Sequence, residues 1–156
     1  MRISIEMICQ NDIILPIHYN LITQGFIYNM IDRELSDFLH NKGYGDSRKF
    51  KMFCFSNILG KAHFDEENAN LVFKSPIKLV VSSPDDHFCE SFANSILKKD
   101  IRLGSNTLEI GKIEINRQQI NEDKIELQAL SPITVYSTLL RPDGRKYTCF
   151  FQPGDD

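Results

Sequence analysis

Hydrophobic and polar positions alternate from the start of the chain. Ile3, Ile5 and Met7 against Arg2, Ser4 and Glu6 give the period of a half-buried strand over Arg2–Ile8. The stretch 9–16 reads as a connecting loop with Pro16 at its end. From Tyr19 the period changes: Ile22, Phe26, Ile27, Met30, Ile31, Leu35, Phe38 and Leu39 fall at helical intervals, while Thr23, Gln24, Asp32 and Arg33 take the polar side. A polar, glycine-bearing loop follows over 41–47. The stretch 50–55 is apolar on both parities apart from Lys51, which predicts a strand covered on both faces.

Further along, 60–68 reads as a charged turn region, and 71–73 and 77–81 as strand on either side of Pro76, so interrupted or at an edge. Ser83 as N-cap, Pro84 in the first helical position and Asp86 completing a capping box announce a second helix. Its buried stripe is Phe88, Phe92 and Ile96, flanked by Cys89, Ala93 and Leu97, and Lys98-Lys99 suit the negative end of its dipole. Leu108 and Ile110 alternate, and the parity flips across Gly111 to Ile113 and Ile115, which predicts a strand with a bulge at the glycine. Strand is expected over 125–130 and on through 131–135, and Arg141-Pro142-Asp143-Gly144 turns the chain into a last strand over 146–151. Strand, helix, strands, helix, strands is the order of an α+β, ferredoxin-like split βαβ fold, an antiparallel sheet with two helices on one face. Residues 1–140 are assigned to that domain, and 141–156 to a hairpin strand and tail that reads as the start of a second.

Composition narrows the class. With 156 residues, 42% apolar and 25% charged, the chain has enough apolar content for a core. Its apolar runs are too short to span a bilayer, and the start leads directly into a strand, so a cytoplasmic protein with no membrane association is expected. Cys9, Cys54, Cys89 and Cys149 show no zinc or redox spacing, and His18, His40, His63 and His87 form no close-spaced ligand pattern. Free thiols are expected, with no metal and no cofactor. The net charge of −3 argues against nucleic acid wrapping the whole surface. It leaves room for a local patch, and Lys42, Arg48, Lys49 and Lys51 gather against Asp46 alone.

Tyr28, His40 and Lys51 carry groups suited to proton and phosphate chemistry. Were Tyr28 and His40 on one unbroken helix, their twelve-residue separation would place the Cα atoms ~18 Å apart, too far to serve one phosphodiester. A break is therefore expected in 32–37, with Ser36 capping a new short helix and His40 folded back toward Tyr28. Plainer roles compete. His40 suits a helix C-terminus, Tyr28 an amphipathic core position, and Lys51 the guarding of a strand edge. Phe53 and Phe55 suit core packing better than base stacking, and His18, His63 and His87 are assigned to surface or structural roles.

Several segments in order carry a resemblance: Leu15-Pro16-Ile17-His18-Tyr19-Asn20, Gln24-Gly25-Phe26-Ile27-Tyr28-Asn29, Phe38-Leu39-His40-Asn41-Lys42-Gly43, Phe50-Lys51-Met52-Phe53-Cys54-Phe55-Ser56 and Leu130-Ser131-Pro132-Ile133. Together they resemble the N-terminal part of the sixth Cas family of the RAMP superfamily, CRISPR endoribonucleases that cut precursor RNA within its repeats. The resemblance implies a metal-free catalytic group at Tyr28, His40 and Lys51, attack by the 2′-hydroxyl, and a 2′,3′-cyclic phosphate product. It implies repeat RNA as partner, with Lys42, Arg48 and Lys49 as RNA-binding residues, and it is compatible with a homodimer and with other Cas proteins of an interference complex. Gly25, costing about 1 kcal/mol relative to Ala inside a helix, then points to close approach by another backbone or by RNA. The glycine-rich loop that ends the family's second ferredoxin-like half has no counterpart in these residues, which implies a truncated piece or a reduced relative. The alternative function is a non-catalytic RNA-binding or scaffold module of the same fold within a CRISPR ribonucleoprotein.

Overall fold

A computed structural model describes residues 1–46, 49–117, 121–126, 128, 133–152 and 154. The chain forms two compact units, Met1–Gln119 and Ile120–Asp156. The first is built on a five-stranded antiparallel sheet. Its strands are β1 (Arg2–Ile8), β3 (Cys54–Phe55), β6 (Ile77–Ser82), β7 (Ile101–Leu103) and β8 (Asn106–Asn116), in the order β3-β6-β1-β8-β7. Without β7 this is the ferredoxin-like order, with the expected alternation of strand and helix along the chain. The helices are α1 (Asn20–Asn29), α2 (Arg33–Asn41) and α3 (Asp86–Ile96).

The alternation of β1 fixes which face is covered. Ile3, Ile5 and Met7 are fully buried beside Ile77, Leu79 and Val81 of β6, with Phe26 and Ile27 of α1 and Phe88, Phe92 and Ile96 of α3 in the same core. Each such side chain removed from water contributes roughly 1.5–3 kcal/mol. The bulge lies where the parity flip placed it. Glu6 faces Lys112 and Met7 faces Ile110, which leaves Gly111 as the extra residue.

Several expectations are corrected. Ile13–Pro16 is a strand, β2, and not part of a loop; Ile13 and Leu15 are buried on either side of exposed Ile14. It pairs with β5 (Asn70–Phe73), which also pairs with β4 (Ala62–Asp65) inside the supposed turn region, making a separate three-stranded sheet β2-β5-β4. Pro16 is tolerated because β2 is an edge strand. The Asn106 side chain covers part of that edge, accepting from Ile14 N–H at 3.1 Å and donating to the Ile14 carbonyl at 2.9 Å. Pro76 separates two strands of different sheets, and neither β5 nor β6 is an edge strand.

The apolar run 50–55 is not one strand. Phe50 forms an isolated bridge to Tyr44, Met52 has φ of 55°, and regular pairing begins at Cys54. Phe50 and Met52 are about half exposed, so neither of those positions is covered as a two-faced strand requires. The cap of α3 is Asp85, whose carboxylate accepts from His87 N–H at 2.9 Å. Ser83 serves the loop instead, donating to the Met52 carbonyl at 2.6 Å and accepting from Asp85 N–H. Lys99 donates to the carbonyl of Asn29, at the end of α1, at 2.7 Å.

In the second unit, β9 (Val135–Leu140) and β10 (Lys146–Phe151) form an antiparallel hairpin around the expected turn, Tyr136 facing Phe150. This unit runs Ile120–Asp156, and the position 140 marked as a boundary in the sequence lies at the end of β9 within it. Within the strand expected at 125–135, Ile125, Glu126, Gln128, Ile133 and Thr134 are irregular, and the other positions before β9 lie outside the described residues. Among the described residues no helix is long and apolar enough to cross a membrane.

Candidate active site

The site depends on how α1 ends. Met30 and Ile31 turn into the core, and Asp32 becomes extended at ψ 145° with its N–H donated to Ser91 Oγ of α3 at 2.7 Å. Helix resumes at Arg33, with Ser36 N–H closing the first bond to the Asp32 carbonyl at 2.8 Å. The break thus comes before Ser36, which is a residue within α2 and not its cap. The consequence expected of a break nevertheless holds. The Tyr28 and His40 rings stand 6.1 Å apart, edge to face at 74°.

Tyr28 is half-buried, and Phe53 packs against its other side with ring centroids 5.6 Å apart. Burial raises the Tyr28 phenol above its ordinary pKa, so at neutral pH it keeps its proton and is a donor. His40 is exposed in the last turn of α2, with Nδ1 3.2 Å from the Asn41 side-chain oxygen. Lys51 reaches the same place from the irregular segment after the loop. Its Nζ donates to the Leu39 carbonyl and, at 3.1 Å, to the His40 carbonyl. An ammonium there sits at the negative end of α2 and ties the backbone of His40 to the loop.

These groups share an open cavity of about 570 Å³, lined also by Leu21, Gln24, Gly25, Asn29, Ser36 and Asp37. The sequence reading overlooked Leu21, Ser36 and Asp37 as site residues, although helical spacing carries the signal. Leu21, Gly25 and Tyr28 recur on one face of α1, and Ser36, Asp37 and His40 on one face of α2. Of the residues expected to bind RNA, Lys42 and Lys49 are exposed near the end of α2, Lys49 Nζ lying 3.4 Å from the Asn41 carbonyl; Arg48 lies outside the described residues. His18, His63 and His87 are exposed away from the cavity. Phe53 stacks on buried Phe88 with centroids 5.0 Å apart and packs against the core. Among the described residues no three His, Cys, Asp or Glu side chains gather as a metal site.

The loop that delivers Lys51 is pinned to the start of α3. Tyr44 pairs with Phe50 and donates its hydroxyl to the Asp85 carboxylate at 2.5 Å. The hydrogen bond to Asp85, with burial and the adjacent negative charge, pushes the Tyr44 phenol up to about 12. Burial alone would raise the Asp85 carboxyl, but the hydrogen bonds from Tyr44 and from the Phe88 and His87 N–H groups leave it below the usual range.

Comparison with known proteins agrees with this fold. Residues 114–156 match the family model described as CRISPR associated protein Cas6, C-terminal. Over 147 residues, 94% of this chain, the sequence is 25% identical to the CRISPR-associated endoribonuclease Cas6 1 of Methanocaldococcus jannaschii, covering 56% of that protein. A solved structure described as CRISPR associated protein Cas6 matches with a TM-score of 0.66 and 25% identity, covering 99% of this chain and 63% of that one. Another, described as an RAMP protein binding different RNA substrates, shares the fold with a TM-score of 0.68 at 21% identity, over 99% of this chain and 64% of that one. The chain therefore spans less than two thirds of each of these relatives.

The architecture is the ferredoxin-like one shared with these solved structures. Within that class the likeness is to the Cas6 family, as the ordered sequence segments indicate.

Proposed function

We propose that this chain acts in a metal-independent endoribonuclease that cuts CRISPR precursor RNA within its repeats. The observation that carries the proposal is the meeting of Tyr28, His40 and Lys51, drawn from α1, α2 and the following loop, around one open cavity. The likeness to an endoribonuclease of the Cas6 family supports it. In the step proposed, the ribose 2′-oxygen loses its proton and attacks the adjacent phosphorus. The P–O5′ bond breaks, leaving a 2′,3′-cyclic phosphate, and the departing 5′-oxygen takes up a proton. His40 takes part in proton transfer, since an imidazole can accept or give a proton near neutrality. Tyr28, protonated at neutral pH, assists at the opposite oxygen.

Lys51 steadies charge gathering on the phosphate oxygens. Two of its contacts are to carbonyls, and an ammonium has three donors, so one remains for phosphate. Lys42, Arg48 and Lys49 extend the contact along the RNA backbone. Those same carbonyl contacts favour a second reading, in which Lys51 is a helix-end clasp and the chain only binds RNA.

Repeat RNA with and without a 2′-deoxy substitution at the cut distinguishes the two. An enzyme cuts only the ribose form and binds both; a pure binder cuts neither. His40→Ala is expected to lower the single-turnover rate by on the order of 10²-fold or more while RNA stays bound, and chelator is expected to change nothing. An unaltered rate in that variant would remove His40 from the chemistry.

A further inference from the structure

Gly25 stands in the second turn of α1, a position where glycine weakens a helix. Packing within the protein does not demand it, because a Cβ built there meets nothing within 4 Å. Among the described residues no other backbone approaches, which removes one of the two reasons the sequence offered. The residue instead lines the cavity that holds Tyr28, His40 and Lys51. Leu21, one turn earlier on the same face, is 77% exposed, and half-buried Gln24 lines the same cavity. Helix backbone at Gly25, an exposed aliphatic residue and an amide-bearing residue thus line one cavity. A flat heterocycle has matching needs: a smooth surface for its face, an apolar neighbour, and a donor and acceptor for its edge.

We infer that Leu21, Gln24 and Gly25 form a subsite for the nucleobase next to the phosphate held by Tyr28, His40 and Lys51. The inference rests on the nuclease reading above and extends it to a contact with the base. Gly25 lies three residues from Tyr28, an axial rise of ~4.5 Å, within the reach of one nucleotide. The missing Cβ lets the base rest on the helix backbone, Leu21 covers its outer side, and Gln24 can pair with its edge in either sense.

The test uses the full chain and repeat RNA bearing a 2′-deoxy nucleotide at the cut, so that affinity is read without cleavage. Gly25→Leu is expected to weaken binding on the order of tenfold, the scale of losing one base contact. An abasic nucleotide beside the scissile phosphate should weaken the wild type similarly and the Gly25→Leu variant no further. Gly25→Ala supplies the folding control. With open space around the new methyl group, its Tm should rise by roughly 2–8 °C, so a loss of RNA affinity in that variant cannot come from damage to the helix. Wild-type affinity in Gly25→Leu, or additive losses from the variant and the abasic site, would overturn the subsite while leaving the His40 result intact. A wild-type chain that does not bind repeat RNA would overturn the nuclease reading and the subsite with it.

Discussion

At the scale of single residues, two hydrogen bonds determine where Lys51 stands: Tyr44 to Asp85 at 2.5 Å, and Ser83 to the Met52 carbonyl at 2.6 Å. Both anchor the loop to the start of α3, on either side of the lysine. The first carries a charge-assisted bond and a distinctive pH signature. The Tyr44 phenol is raised to about 12, so its contribution to stability is complete below its ordinary pKa of 10.0 and is lost as pH climbs through about 12. The Asp85 carboxyl is lowered from 3.8, so its contribution is present above that value and is lost as acid takes the pH below it. Tyr44→Phe is therefore expected to cost about 1.5–3 kcal/mol near neutrality, the value of one hydrogen bond to a charged acceptor. The gap between variant and wild type should narrow in both acid and alkali. Denaturant melts across the pH range would show this, and a gap that persists unchanged above pH 12 would mean the phenol is not the group responsible. None of this could be seen in the sequence. Tyr44 sits in a glycine-bearing loop and Asp85 next to a proline, and only the fold brings together residues forty-one positions apart.

At the scale of elements, two glycines, one within α1 and one just after α2, have opposite meanings. Gly43 follows α2 with φ of +69°, and its N–H donates to the Phe38 carbonyl at 2.7 Å. A Cβ there would sit 2.7 Å from the Phe50 carbonyl oxygen, a backbone atom held by the pairing of Tyr44 with Phe50. Gly43→Ala thus meets both a left-handed backbone and a clash that no side-chain rotation relieves. A loss of about 1–3 kcal/mol is expected, measurable as a lower denaturant midpoint. Gly25→Ala, on the helix before, should move the midpoint the other way. A stabilised Gly43→Ala would show that α2 does not end on that glycine. Of these elements the sequence revealed the helical period, the loop after α2, the bulge at Gly111 and the stripe of α3, because each is a local pattern set by its own side chains. It put the break between α1 and α2 in 32–37 but gave the cap to Ser36, where Asp32 holds that position. The break is made by a bond from Asp32 N–H to Ser91, a residue of a different helix. It also missed β2 and β4, short strands that exist only by pairing with β5.

At the scale of the whole molecule, charge limits how the proposed RNA substrate could be held. The fold class was legible because alternation, helical period and element order all agreed on one architecture. The meeting of Tyr28 with His40 followed from arithmetic along a helix. The route of Lys51 did not, since the segment carrying it reads as strand and is not. With a net charge of −3, affinity for a polyanion has to come from a few cations in one place. The exposed Lys42 and Lys49 and the partly exposed Lys51 lie around the end of α2, while one glutamate of β8, Glu114, pairs with Lys78 of β6 at 3.5 Å and with Lys112 of its own strand at 2.7 Å. Three or four phosphate contacts on a single strand release correspondingly few counterions. The slope of log K against log salt for repeat RNA should therefore be shallow, roughly −2 to −3. Lys42→Ala and Lys49→Ala should each flatten it by about 0.7 and weaken binding uniformly across RNA sequences. Fluorescence anisotropy over a salt series measures this. A slope several times steeper, untouched by those two substitutions, would place the RNA on another face and detach the basic segment from the cavity it borders.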